Sequence, residues 1–141
     1  MIGIVLISHG GFAEGLLDAA NMLYGADSCF ALKLDPADNP DDFEGQLVNT
    51  INEADTGDGV FILADIMGGT PCNRAMAVLT KDIAAGKKRR LLAGASIPML
   101  ISLLDNRMSA SSFDELAAAV IKDAADFMSD VNEVMKKEGL L

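Results

Sequence analysis

Residues 2–7 read Ile-Gly-Ile-Val-Leu-Ile, a near-continuous aliphatic run with no period-two alternation. A strand with one face in water alternates apolar and polar side chains, whereas an unbroken run belongs to a strand covered on both faces of a parallel sheet. Three further strands follow on the same reasoning: Cys29–Leu34, shorter and partly polar, Val60–Ala64, aliphatic and ended by Asp65, and residues 91–93. Helical spacing fills the intervals. Phe12, Leu16, Ala19, Ala20 and Leu23 recur after the first strand, with Gly25 as C-cap. Asp38-Asn39-Pro40-Asp41-Asp42 supplies a cap, a first-turn proline and acids favoured by the helix dipole, ahead of Phe43, Leu47 and Ile51. Thr70-Pro71 reads as an N-cap and N1 pair opening a helix through Ile83. Ser96 and Pro98 introduce a short helix to about residue 104, with Ile97, Leu100, Ile101 and Leu104 inward.

The last segment opens on Ser112-Phe113-Asp114-Glu115, a capping box. One helix is expected from there to about Lys137, because Phe113, Ala117, Val120, Ala124, Phe127, Val131 and Val134 step by four and three. That stripe fits either the sheet or a neighbouring subunit. No repeat, low-complexity stretch or linker interrupts the chain, so residues 1–141 are expected to form one domain. Strands alternating with helices imply right-handed crossovers and helices on both faces. The predicted fold is a doubly wound α/β sheet of four parallel strands in the flavodoxin-like order 2-1-3-4. In that order strands 1 and 3 meet at the switch point, where ligands bind outside the carboxyl ends of the strands.

Composition narrows the function. The chain has 141 residues, 50% of them hydrophobic, enough to build a core without staples. Two cysteines, Cys29 and Cys72, make no disulfide framework, and no apolar leader or long apolar run opens the chain, so a soluble cytoplasmic protein is expected. Net charge is −10 and uneven: residues 1–73 carry 12 acids and one base, Lys33. Such a balance repels polyanions, and the only basic run, Lys87-Lys88-Arg89-Arg90, has no aromatic beside it, which argues against nucleic acid. An acidic face suits a basic protein partner, and it equally serves solubility.

His9, the only histidine, ends the first strand, and Asp65 ends the third, so the fold brings both to one crevice. A histidine with one ring nitrogen bonded to a carboxylate is held in one tautomer, leaving the other lone pair directed outward as a nucleophile. Gly10-Gly11 and Gly68-Gly69-Thr70-Pro71 would set two helix N-termini around it, whose amides and dipoles favour a tetrahedral anion, with the Thr70 hydroxyl adding a hydrogen bond. Each feature alone has an ordinary structural reading: a satisfied histidine, a loop-initiating acid, a tight turn. Their coincidence points to a phosphoryl group on His9. There is no P-loop lysine motif, dinucleotide glycine fingerprint or metal-ligand cluster, so no cofactor is expected. Cys72 near a helix start reads as a buried, inert thiol rather than a nucleophile paired with His9.

Three blocks carry a family resemblance: Ile7-Ser8-His9-Gly10-Gly11-Phe12-Ala13, Ala64-Asp65-Ile66-Met67-Gly68-Gly69-Thr70-Pro71-Cys72-Asn73, and Gly94-Ala95-Ser96-Ile97-Pro98-Met99-Leu100. Over nearly its whole length the chain resembles the enzyme IIA component of the mannose family of the bacterial phosphoenolpyruvate-dependent phosphotransferase system. The resemblance implies that His9, through Nε2, accepts a phosphoryl group from the carrier HPr and passes it to a IIB component, which serves membrane IIC and IID subunits. It assigns Asp65 to orienting His9 and Thr70 to phosphoryl binding, where Gly10, Gly11, Gly68 and Gly69 at the two helix starts complete the expected phosphoryl-binding set. Met67, Ser96 and Pro98 become the site wall. No metal or nucleotide is implied, and a homodimer is. Members commonly carry a bulky or aromatic residue where Met67 stands and an aromatic one where Cys72 stands, which implies a different rim here. Two other readings are a phosphoryl-donor subunit for a dihydroxyacetone kinase, which departs from the Gly-Gly-Thr-Pro block, and a non-catalytic module that binds partners according to phosphorylation.

Overall fold

A computed structural model describes all residues from Met1 to Leu141. Strands β1 (Gly3–His9), β2 (Cys29–Leu34), β3 (Val60–Ala64) and β4 (Arg89–Ala93) form one parallel sheet in the order β2-β1-β3-β4. The helices are α1 (Phe12–Leu23), α2 (Pro40–Ala54), α3 (Thr70–Ala84), α4 (Ile97–Asn106), α5 (Phe113–Asp126) and α6 (Val131–Lys137). The order 2-1-3-4 and the α/β class agree with the expectation from the sequence.

The unbroken aliphatic run explains the layering. Ile4 and Leu6 face a cluster built with α1, α4 and α5, while Val5 and Ile7 face one built with α2 and α3. Each of these side chains is at most 1% exposed, and burial of such a residue stabilises by about 1.5–3 kcal/mol relative to leaving it in water. Register pairs Ile7 with Ala64 and His9 with Leu34, so the next residue after β3, Asp65, lies beside the end of β1. Its N–H donates to the Ile7 carbonyl at 3.1 Å.

Several boundaries differ from the sequence reading. β4 begins at Arg89 rather than Leu91, because the Arg89 side chain, 1% exposed, is held by Asp82 (Nε, 2.7 Å) and Asp55 (Nη1, 2.8 Å). With both carboxylates supplied by helix ends, a cation can enter the sheet. The N-cap of α3 is Gly69, with Thr70 at N1 and Pro71 at N2; a first-turn proline needs no N–H partner wherever in that turn it stands. In α4 the inward side chains are Met99, Leu100, Leu103 and Leu104, while Ile97 is exposed. Apolar residues there occupy nearly every position, so periodicity could not choose the face. In α1 Ala13, Leu16 and Ala20 are buried, and Phe12 and Leu23 are exposed.

The single long C-terminal helix is two. α5 stops at Asp126, and Asp130 starts α6 as a new N-cap, accepting from the Asn132 and Glu133 N–H groups. The short polar side chain competes with the helical backbone and wins locally. Leu116, Ala117 and Val120 pack on the sheet cluster, whereas Phe127, Val131 and Val134 are exposed and α6 buries nothing. No helix is long and apolar enough to cross a membrane.

Candidate active site

His9 is the last residue of β1 and the only exposed one in that strand. Its ring Nδ1 lies 2.8 Å from Asp65 Oδ2, and its backbone N–H donates to the same oxygen at 2.9 Å. The other oxygen, Oδ1, accepts the Ile66 N–H at 2.8 Å. Both carboxylate oxygens are thus committed. Burial is the largest influence on the Asp65 carboxyl and pushes its pKa up; the His9 N–H, the His9 ring and the Ile66 N–H together outweigh it and hold the pKa below the ordinary aspartate value. An ionised carboxylate only accepts, so Nδ1 carries the proton. In the neutral ring the lone pair then sits on Nε2. The side chain is 51% exposed.

Two glycine turns flank the ring, each for a distinct reason. Gly10 follows His9 with φ +53° and donates its N–H to the Leu34 carbonyl, a conformation that costs other residues strain. Gly11 then caps α1 without a side chain, and its N–H finds no acceptor within the chain. After β3, Gly68 has φ +86°, and the Asn73 amide donates to its carbonyl at 3.2 Å. Gly69 has ordinary φ but no room: a Cβ there would stand 2.5 Å from His9 Cε1 and 3.2 Å from Nε2. The glycine makes the face against which the imidazole lies. The N–H groups of Gly68 and Gly69 also lack acceptors in the chain. Unpaired first-turn amides and the positive ends of two helices suit an anion with tetrahedral oxygens.

The remaining expected residues lie on the loops and helix starts that follow β3 and β4. The Thr70 hydroxyl makes no hydrogen bond within the chain. Met67 is 79% exposed, and Phe12 at the start of α1, Ile66 in the loop after β3 and Ile97 at the start of α4 add exposed apolar surface. Ser96 caps α4, its Oγ accepting the Met99 N–H at 3.2 Å, and Pro98 stands in that helix's first turn. Cys72 is the exception: at 2% exposure it packs with Val5, Ile7 and Ala64, so it is core rather than rim. Two residues were given no role by the sequence. Asn73 holds the Gly68 turn, and Ser8, wholly buried, bonds both sides of the Gly10-Gly11 turn. A hydroxyl ending an otherwise aliphatic strand was the available signal.

Comparison with known proteins decides the family. The family model described as "PTS system fructose IIA component" matches residues 3–121. This chain belongs to that family. It is 33% identical over 122 residues to the mannose-specific EIIAB component of Escherichia coli, covering 86% of this chain and 36% of that protein. It therefore spans about a third of the length of that relative. It is 27% identical over 114 residues to the sorbose-specific EIIA component of Klebsiella pneumoniae, covering 81% of each. Among solved structures, the PTS IIA protein associated with the fucose utilization operon of Streptococcus pneumoniae superposes with a TM-score of 0.78 at 29% identity, covering 94% of this chain and 95% of that one. Membership in the PTS IIA family agrees with the resemblance drawn from the three sequence blocks.

Proposed function

We propose that this chain is a phosphocarrier of the phosphotransferase system, taking a phosphoryl group from phospho-HPr onto His9 Nε2 and handing it to a IIB component for sugar uptake. The observation that carries the reading is the Nδ1 to Asp65 Oδ2 contact at 2.8 Å, which leaves Nε2 as the nucleophile at the crevice mouth. In the step, the Nε2 lone pair forms the new N–P bond while the N–P bond of the donor histidine breaks and its electron pair returns to that ring. His9 keeps its Nδ1 proton, so phosphorylation builds positive charge on the imidazole. Asp65 stabilises that charge, and the Gly11, Gly68 and Gly69 amides with the Thr70 hydroxyl stabilise the phosphoryl oxygens. Relay between two histidines runs near equilibrium, so the protein supplies position and charge rather than driving force.

On this reading residues 1–141 act as one cytoplasmic domain without metal or nucleotide, a homodimer reaching the membrane IIC and IID subunits only through IIB. Mannose, sorbose and fucose in the relatives' names do not define one sugar, in keeping with a carrier that never touches the sugar. The test is a relay assay with phosphoenolpyruvate, enzyme I and HPr. Label should reach this protein and pass on to a IIB component. Label that enters and moves to no IIB acceptor would contradict the carrier role, and label moving instead to a dihydroxyacetone kinase would favour that branch.

A further inference from the structure

We propose that Ser8 is a positioning residue for phosphoryl transfer, holding the turn that carries His9 and the Gly11 amide. The proposal rests on the reading of His9 as phosphoryl acceptor. Ser8 is 0% exposed, the last fully buried residue of β1 and the only polar one in that stretch of the strand. Burying a hydroxyl is unfavourable unless it is bonded on both counts, and here it is. Ser8 Oγ donates to the Gly10 carbonyl at 3.0 Å and accepts the Ala13 N–H at 2.7 Å.

Those two contacts span the turn. Gly11 stands at the N-cap of α1 with no side chain to cap it, and Ala13 is at N2, the position whose amide an N-cap side chain ordinarily receives. Ser8, three residues upstream, performs that capping from the strand. The N-cap residue can then be a glycine, and its own N–H has no acceptor in the chain. A Ser or Thr at position 11 could take the Ala13 amide itself; with glycine there, that amide has Ser8 as its side-chain partner. Alternation along β1 sends Ser8 toward α1 and His9 toward the Gly69 turn, so neighbouring residues fix one turn from opposite faces of the sheet. The hydroxyl touches no reacting atom. It acts through the backbone of residues 9–11.

The test compares wild type, Ser8→Ala and Ser8→Thr, with Ala13→Pro as an independent variant. Ala13→Pro removes the N–H donor, at a helix position that proline already occupies in α3 and α4, and its added ring enters a buried position, so the folded state of this variant is checked first. The probe is a small phosphoramidate donor at saturating concentration, read as rate of His9 phosphorylation on protein shown folded by circular dichroism. Ser8→Ala and Ala13→Pro should label about 10–100-fold more slowly, the usual cost of losing a residue that orients a reacting group. Ser8→Thr, which keeps the hydroxyl, should recover most of the rate. In ¹⁵N spectra the His9 Nδ1–H signal, protected by Asp65 in wild type, should exchange faster in Ser8→Ala. A purely structural role would move the melting temperature and leave rate and ring signal of the folded variants unchanged, and that result overturns the proposal, as does a Ser8→Thr variant as slow as Ser8→Ala. If wild type takes no label at His9, the reading of the site fails instead. Wild-type labelling with an equally fast Ser8→Ala removes Ser8 alone.

Discussion

One carboxylate oxygen of Asp65 receives two bonds from His9, the ring Nδ1 at 2.8 Å and the backbone N–H at 2.9 Å. The acid therefore fixes the strand end and the imidazole together. Asp65→Ala should leave a folded protein whose phosphoryl transfer is slower by roughly 10 to 10⁴-fold, as the ring loses its orienter and its counter-charge. Stopped transfer kinetics on both proteins measure this, and wild-type rates in a folded variant would contradict the role.

Gly69 and Gly11 make opposite predictions although both are N-cap glycines. A Cβ at Gly69 would meet His9 Cε1 at 2.5 Å, whereas one at Gly11 meets nothing within 4 Å. Gly69→Ala should displace the ring and slow His9 labelling about 10-fold or more, since a shift of about 1 Å in a reacting group costs on the order of 10²-fold. Gly11→Ala, at φ −78°, keeps its backbone N–H and should label within about 3-fold of wild type, or about 0.65 kcal/mol in barrier. Equal effects at the two positions would show that the close approach at Gly69 is not what seats the imidazole.

How much of this was legible follows from which contacts are local. The aliphatic run of residues 2–7 announced a doubly covered strand, and the His9 and Asp65 strand ends then followed from topology. Asn39 with Pro40, Ser96 and Ser112 marked helix starts that the structure keeps, because an N-cap bond spans two or three residues. What stayed hidden depends on distant partners. Arg89 reads as part of a solvated basic run until Asp55 and Asp82 are brought beside it. The Gly69 contact with His9 spans sixty residues, and nothing local distinguishes it from an ordinary turn glycine. The break at residues 127–130 was missed because the four-three stripe continues through it, while Asp130 caps a new start.

Acid should destabilise the protein through the same carboxylate. The folded-state pKa of Asp65 is depressed, so the unfolded chain takes up the proton first as pH falls. Its contribution is whole above the ordinary aspartate value of about 3.9 and is lost as pH drops through the lower folded-state value. Asp55 behaves alike, held down chiefly by the Gly57 N–H and then by Arg89 against the opposing effect of burial. Urea melts from about pH 6 to pH 3 should show stability falling at the acid end, with a shallower fall in Asp65→Asn. An unchanged slope in that variant would remove Asp65 from the account.

Arg89 should separate stability from activity. Its side chain is 1% exposed, while Asp55 and Asp82 keep 25% and 16% exposure. Removing one partner of a buried pair costs about 3–5 kcal/mol, and the partial hydration of these carboxylates lowers the expectation for Arg89→Met to about 2–3 kcal/mol. Denaturant melts read this directly. His9 labelling by the folded variant should match wild type, because β4 begins at the end of the sheet away from the site; a loss of labelling without loss of stability would contradict that separation.

The most direct test is where phosphorus goes. Wild-type protein incubated with phosphoenolpyruvate, enzyme I and HPr should gain one acid-labile phosphate, seen by ³¹P NMR as an Nε2-phosphohistidine, and His9→Ala should gain none. Label retained by His9→Ala, or a phosphate on Nδ1 of the wild-type ring, would contradict the central claim that Asp65 occupies one nitrogen and leaves the other to react.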